Sequence, residues 1–152
     1  MKTSHFVLLF VAMISFGGNG LVIAAGDMTA KDPIEVKVQL GDNNNVLRFF
    51  PSNLEFETGK LYKLILHNQS SMKHYFSSGG LSRSVFTRKA QVIGSNGNTI
   101  AEIKGVIREI EVYPGGTAEW WFVPVKTGNL NDLKCTIQGH TEGGMVGKIT
   151  IK

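Results

Sequence analysis

The sequence predicts an all-β domain, an antiparallel sandwich or barrel, on three observations. Apolar and polar residues alternate with period two in several short runs after residue 33. Clusters of Gly, Pro and Asn, the residues of tight turns, separate those runs. The 152 residues are 42% hydrophobic and 18% charged and include 18 glycines, which describes one turn-rich globular domain, neither disordered nor collagenous.

PIEVKVQL (33–40) sets Ile34, Val36, Val38 and Leu40 against Glu35, Lys37 and Gln39, the pattern of a half-buried strand. GDNNN (41–45) is turn chemistry. VLRFF (46–50) and LEFE (54–57) are short strands divided by Pro51-Ser52-Asn53. KLYKLILH (60–67) places Tyr62, Leu64 and Leu66 on one face. IREIEVY (107–113) and TAEWWFVP (117–124) flank Pro114-Gly115-Gly116, a hairpin-like break. A segment around Asn129–Thr136 and the strand MVGKITIK (145–152) close the chain. Residues 76–104 lack sustained alternation and carry two glycine-rich breaks, so they are expected to form an insertion, a loop or a short helix around Ser82–Lys89.

The first residues have the pattern of an export signal over 1–25. MKTSH is a positive start, FVLLFVAMISF an apolar run, and LVIAAGD ends in small residues suited to cleavage after Ala24 or Ala25, leaving 26–152 as the domain. Phe6–Phe16 is too short to span a bilayer alone, although an uncleaved Phe6–Ala25 would stay as an anchor. No later segment could cross a membrane, so a cleaved product is expected to be soluble and outside the cytoplasm. The net charge of +4 is scattered, and its densest group, Arg83, Arg88 and Lys89, has the pattern of a solvated face; no nucleic-acid partner is expected.

Chemistry concentrates in KCTIQGHTEGGMVGKITIK (134–152). Cys135 is the only cysteine, so an exported chain cannot close an internal disulfide with it. Taken alone it would be a buried small hydrophobe. His140 and Met145 follow at five-residue intervals, giving thiolate, imidazole and thioether donors. Such a set suits Cu(I) or zinc and not the hard ions magnesium or calcium. Zinc rarely takes a thioether. Copper in electron-transfer sites takes two His and one Cys in a trigonal plane with a long axial Met. That arrangement needs a second histidine. His67 shares parity with Lys63 in its strand and has the pattern of a half-exposed strand residue. His74 follows the polar break HNQSSMK, in a loop past a strand end from which a side chain can reach a distant loop. His74 is therefore the chosen fourth donor.

CTIQGHTEGGMVGKITI resembles the ligand loop of the cupredoxins, the blue (type 1) copper proteins that include plastocyanin, azurin and rusticyanin. Asn68-x5-His74 and YPGGTAEWWFVPVKTG (113–128) resemble the family's upstream pattern and the hairpin before its cysteine strand. The resemblance covers roughly residues 33–152, with 76–104 as a separate stretch. It implies a Greek-key β-sandwich holding one copper ion, with His74, Cys135 and His140 as equatorial ligands and Met145 as the axial one. Gly143 and Gly144 would let the loop turn back toward the metal. A monomeric electron carrier of the bacterial periplasm is implied, with small, transient docking of a redox protein partner at the solvent-facing edge of His140. The alternative is a copper-handling or copper-tolerance protein with the same site, in which the insertion 76–104 together with Met72 could add a weaker copper site. An enzyme is not expected: Ser77-Ser78-Gly79-Gly80 lacks the rest of a phosphate loop, and a Cys135–His140 nucleophilic pair leaves His74 and Met145 unexplained. The chain departs from the family at Tyr75, often Asn or Ser there, and before Cys135, where Gly128 stands one residue early and Asn131 and Asp132 occupy the approach. Those departures bear on the hydrogen bonds around the ligands.

Overall fold

A computed structural model describes residues 31–152; the export signal expected over 1–25 lies outside the described residues. Eleven strands and one short helix follow one another in the described chain: β1 (Ile34–Leu40), β2 (Phe49–Phe50), β3 (Asn53–Phe56), β4 (Tyr62–Asn68), β5 (His74–Ser77), α1 (Gly79–Ser84), β6 (Val85–Ile93), β7 (Thr99–Ile103), β8 (Glu109–Val112), β9 (Thr117–Pro124), β10 (Gly128–Lys134) and β11 (Val146–Ile151). They form a six-stranded sheet ordered β2-β1-β4-β9-β6-β7 and a five-stranded sheet ordered β3-β11-β10-β5-β8. The all-β expectation holds. Among the described residues, no helix is long and apolar enough to cross a membrane.

The period-two runs bury the faces that the sequence marks. Val38, Leu40, Leu64, Leu66, Trp120 and Phe122 from one sheet meet Leu54, Phe56, Phe76, Val112, Leu133, Ile149 and Ile151 from the other. Phe56 packs edge-on against Tyr62 and Phe122 with ring centroids 4.9 and 5.2 Å apart, joining the two sheets near one end of the sandwich. Each such side chain removed from water contributes roughly 1.5–3 kcal/mol.

Two features differ from a purely antiparallel sandwich. β1 pairs β4 in parallel, and β3 pairs β11 in parallel. Between β1 and β4 the chain crosses to the other sheet as β3 and returns, so β4 arrives beside β1 in the same direction. The break at Pro114-Gly115-Gly116 is likewise no hairpin: it carries the chain from β8 in one sheet to β9 in the other. The turn docks on the end of β4, with Asn68 N–H donating to Gly116 O at 3.1 Å and Gly115 N–H to Asn68 O at 2.8 Å.

The stretch 76–104 contains the expected short helix, but as Gly79–Ser84 and not Ser82–Lys89. Its start is fixed by Ser78, whose hydroxyl accepts from Leu81 N–H while donating to Asp132 at 2.7 Å. Most of the stretch is strand: β6 pairs β9 along its length and β7 extends the sheet. The alternation is hidden by a bulge. Thr87 pairs Phe122 and Lys89 pairs Trp121, so Arg88 is an extra residue that switches the facing parity midway.

Phe122→Ala is expected to cost about 3–5 kcal/mol by leaving a cavity between the sheets. Phe86→Ala, at a position 66% exposed, should change stability by less than about 0.5 kcal/mol. Chemical denaturation of both variants checks the pair, and equal losses would contradict the packing described.

Candidate metal centre

The C-terminal loop is closed by its own strands. β10 and β11 pair up to Lys134 and Val146, and the next rung is Cys135 N–H donating to Met145 O at 3.0 Å. Inside the loop, His140 N–H donates to Ile137 O at 3.0 Å and Met145 N–H to His140 O at 2.9 Å. The Thr141 hydroxyl donates to Cys135 O at 2.8 Å. Gly143 N–H donates to Gly139 O and Gly144 N–H to Thr141 O, and Gly144 sits at φ +99°, backbone that a side chain would strain. The pair Gly143-Gly144 thus turns the loop as the sequence suggests.

His74 arrives from the neighbouring strand. It opens β5, opposite Val112 of β8, and does not lie in a loop as its polar surroundings suggest. Its side chain is fully buried. The ring Nδ1 lies 3.2 Å from His140 Nδ1 and 4.0 Å from Cys135 Sγ, and His140 Nδ1 lies 3.3 Å from Cys135 Sγ. One ligand atom from each of the three residues falls within 4.8 Å of the others, a group that could hold one metal ion. Cys135 is wholly buried, while His140 keeps part of its surface in solvent.

Met145 is fully buried directly ahead of β11, tied by its backbone to both Cys135 and His140. His67 stands apart on the outer face of the six-stranded sheet, half-buried, its Nδ1 2.9 Å from Thr117 Oγ1. Met72 is 37% exposed, and its carbonyl accepts from Asn68 Nδ2 at 2.7 Å.

Neither sequence departure disturbs the cluster. At Tyr75 it is the backbone that acts: its N–H donates to Cys135 Sγ at 3.3 Å, whatever the side chain. A bulge between Leu130 and Leu133 absorbs Asn131 and Asp132, leaving Leu133 and Cys135 buried. Asp132 then accepts from Gly80 N–H at 2.6 Å and ties the bulge to α1. Sequence reading missed Ser70, whose Oγ lies 2.8 Å from His74 Nε2. Its only signal was a polar residue inside the break before His74.

Burial, and next the charge that His140 would carry, push the His74 imidazole down to about 4. It is therefore neutral near pH 7 and has a lone pair to offer. An imidazole that titrates lower in the folded chain binds fewer protons there than in the unfolded chain. Metal-free protein should accordingly lose stability as pH falls from about 6.5 to about 4, with no contribution from this group above that window. Denaturation midpoints across that range check this, and His74→Asn should flatten the slope.

No protein-family model matches the chain, and no curated protein matches it. Solved structures do. Auracyanin A, a "blue" copper protein from Chloroflexus aurantiacus, is 17% identical over 80% of this chain and 100% of its own, with a TM-score of 0.50. A Cu-containing nitrite reductase from Thermus scotoductus is 13% identical over 82% of this chain and 32% of its own, with a TM-score of 0.59. A multicopper oxidase from Campylobacter jejuni is 18% identical over 81% and 31%, with a TM-score of 0.57. The chain thus spans about a third of the two larger proteins and the whole of the small one. Its fold is the cupredoxin fold. Within that fold it carries a buried His–Cys–His donor group at the end of the sandwich where β10 and β11 meet their connecting loop.

Proposed function

We propose that this chain binds one type 1 copper ion and carries single electrons between redox partners outside the cytoplasm, in the periplasm. The observation that carries this reading is the convergence of Cys135 Sγ with the Nδ1 atoms of His74 and His140, drawn from the start of β5 and from the loop between β10 and β11. The copper-containing proteins that share the fold support the choice of metal. The donor set fits: a thiolate and two neutral imidazoles suit copper in either oxidation state. Met145, fully buried at the end of the same loop, would supply the fourth, thioether donor.

Bound copper supplies a one-electron Cu(II)/Cu(I) couple. The chain's own residues do the rest. Tyr75 N–H steadies the thiolate, and the loop's internal hydrogen bonds hold His140 and Met145 in register with Cys135. Donors held by a backbone frame have little room to rearrange when charge changes. His140 is partly exposed, so its ring edge is the proposed exit toward a transient partner, whereas His74 is enclosed. The assigned task is transfer, not catalysis.

Copper titration of the purified domain, followed by visible spectroscopy and electron paramagnetic resonance, tests the assignment. The oxidised form should be intensely blue or green from thiolate-to-copper charge transfer, and Cys135→Ser should abolish the colour. A colourless adduct of the unaltered chain would overturn it. Met145→Gln should retain the colour at a lowered reduction potential; an unchanged potential removes the axial role. A deletion strain with impaired respiratory or photosynthetic electron flow supports a carrier, whereas copper sensitivity alone reassigns the site to copper handling.

A further inference from the structure

Behind His74 lies a hydrogen-bonded chain that the copper reading does not by itself account for. His74 Nε2 points away from the donor group and lies 2.8 Å from Ser70 Oγ. Ser70 is 3% exposed, and its Oγ also lies 2.8 Å from Asn68 Oδ1 and 2.8 Å from Met72 O. Met72 N–H donates to the same oxygen at 3.2 Å.

Backbone groups fix the orientation of Asn68, and Asn68 in turn constrains Ser70. Asn68 Nδ2 faces two carbonyls, Met72 O at 2.7 Å and Val112 O at 2.8 Å, and a carbonyl can only accept. The amide nitrogen must therefore point that way, which turns Asn68 Oδ1 toward Ser70, where it accepts from Ser70 N–H at 3.0 Å. The Ser70 hydroxyl has one proton, and both Asn68 Oδ1 and Met72 O are pure acceptors. With two oxygen acceptors each 2.8 Å away, spending that proton on one of them avoids leaving both against a bare hydroxyl lone pair. In that arrangement Ser70 presents a lone pair to His74, and His74 Nε2 carries a hydrogen and donates it. A neutral imidazole protonated at Nε2 is bare at Nδ1, the atom that faces Cys135 and His140.

Gly41, at the end of β1, closes the back of this arrangement. It adopts φ +68°, and a Cβ there would stand 3.0 Å from His74 Nε2 and 3.0 Å from Ser70 Cβ. Only the absence of a side chain lets the strand end lie against the imidazole and seal it from solvent.

We propose that Ser70, oriented by Asn68 and backed by Gly41, is a positioning residue that sets the tautomer of His74 and so presents Nδ1 to the metal. The tautomer stands on the geometry alone; its consequence for copper rests on the function proposed above.

Long-range proton–nitrogen correlation on ¹⁵N-labelled, metal-free protein near neutral pH reads which ring nitrogen carries the proton. In the unaltered chain His74 should be protonated at Nε2 alone, with that proton protected from exchange. Ser70→Ala should give mixed tautomers and lower copper affinity by about 10–100-fold, the usual effect of losing a partner of a metal-bound histidine. Ser71→Ala, one residue along and exposed, should change neither. A proton on Nδ1 in the unaltered chain overturns the proposal without any variant having to fold, and so does a Ser70→Ala protein with unchanged tautomer and affinity. Should the tautomer respond to Ser70→Ala while the unaltered protein binds no copper, the copper reading fails and the role of Ser70 stands.

Discussion

The donor group depends on how two neighbouring strand pairs end. β10 and β11 stay paired to the very start of the Cys135–Met145 loop, so Cys135 and Met145 face each other across the last rung. β10 and β5 do the opposite: they share a single registered pair, Lys134 with Ser77, and then separate. Had that ladder continued, Tyr75 N–H would have met a backbone carbonyl. It meets the sulfur of Cys135 instead. One opening in one sheet thus makes room for the side chains, frees an amide to hold the Cys135 sulfur, and brings His74 alongside. The fold and the chemistry share that opening.

Around it, polar atoms are few and each has a partner. Asn68, Ser70 and His74 are all buried polar residues, and a buried polar group without a hydrogen bond costs about 1–3 kcal/mol. Their mutual bonds remove that cost and leave the Nδ1 side of His74 facing only the other donors, His140 Nδ1 at 3.2 Å and Cys135 Sγ at 4.0 Å. Burial keeps the same ring neutral. A pocket whose structural bonds point outward and whose free lone pairs point inward has its donors arranged ahead of any ligand, and the ordering entropy falls on folding instead of on binding.

Where local pattern and tertiary demand agree, the sequence alone reveals the element. Tyr62, Leu64 and Leu66 alternate because β4 has one dry face, and the strand lies where that alternation puts it. The ligand loop is legible for a similar reason: thiolate, imidazole and thioether stand at even spacing within a single short window, and together they form a soft donor set. What escapes the eye is whatever depends on partners far away in sequence. β6 loses its alternation to the extra residue Arg88, and that bulge exists only because β9 runs beside it. The parallel pairs follow from crossovers that no local window contains. Ser70 is invisible for the same reason. A serine in HNQSSMK looks like any turn residue until Asn68 and His74 fold onto it.

The two imidazoles are unequal, and the inequality follows from where each backbone comes from. His74 belongs to a strand, opposite Val112, with Ser70 at its back and the end of β1 pressed against it. Its position is over-determined, so it has no freedom to leave. His140 belongs to a loop, held by backbone bonds to Ile137 and Met145, and it is only half-buried. On the proposed function these are complementary roles: one ligand anchors the geometry and the other touches the partner. Exchanging the roles would require exposing a fully buried residue at the start of a paired strand. On that same proposal, His74 is enclosed and His140 is only half-buried, so electrons exchanged with another protein would pass on the His140 side.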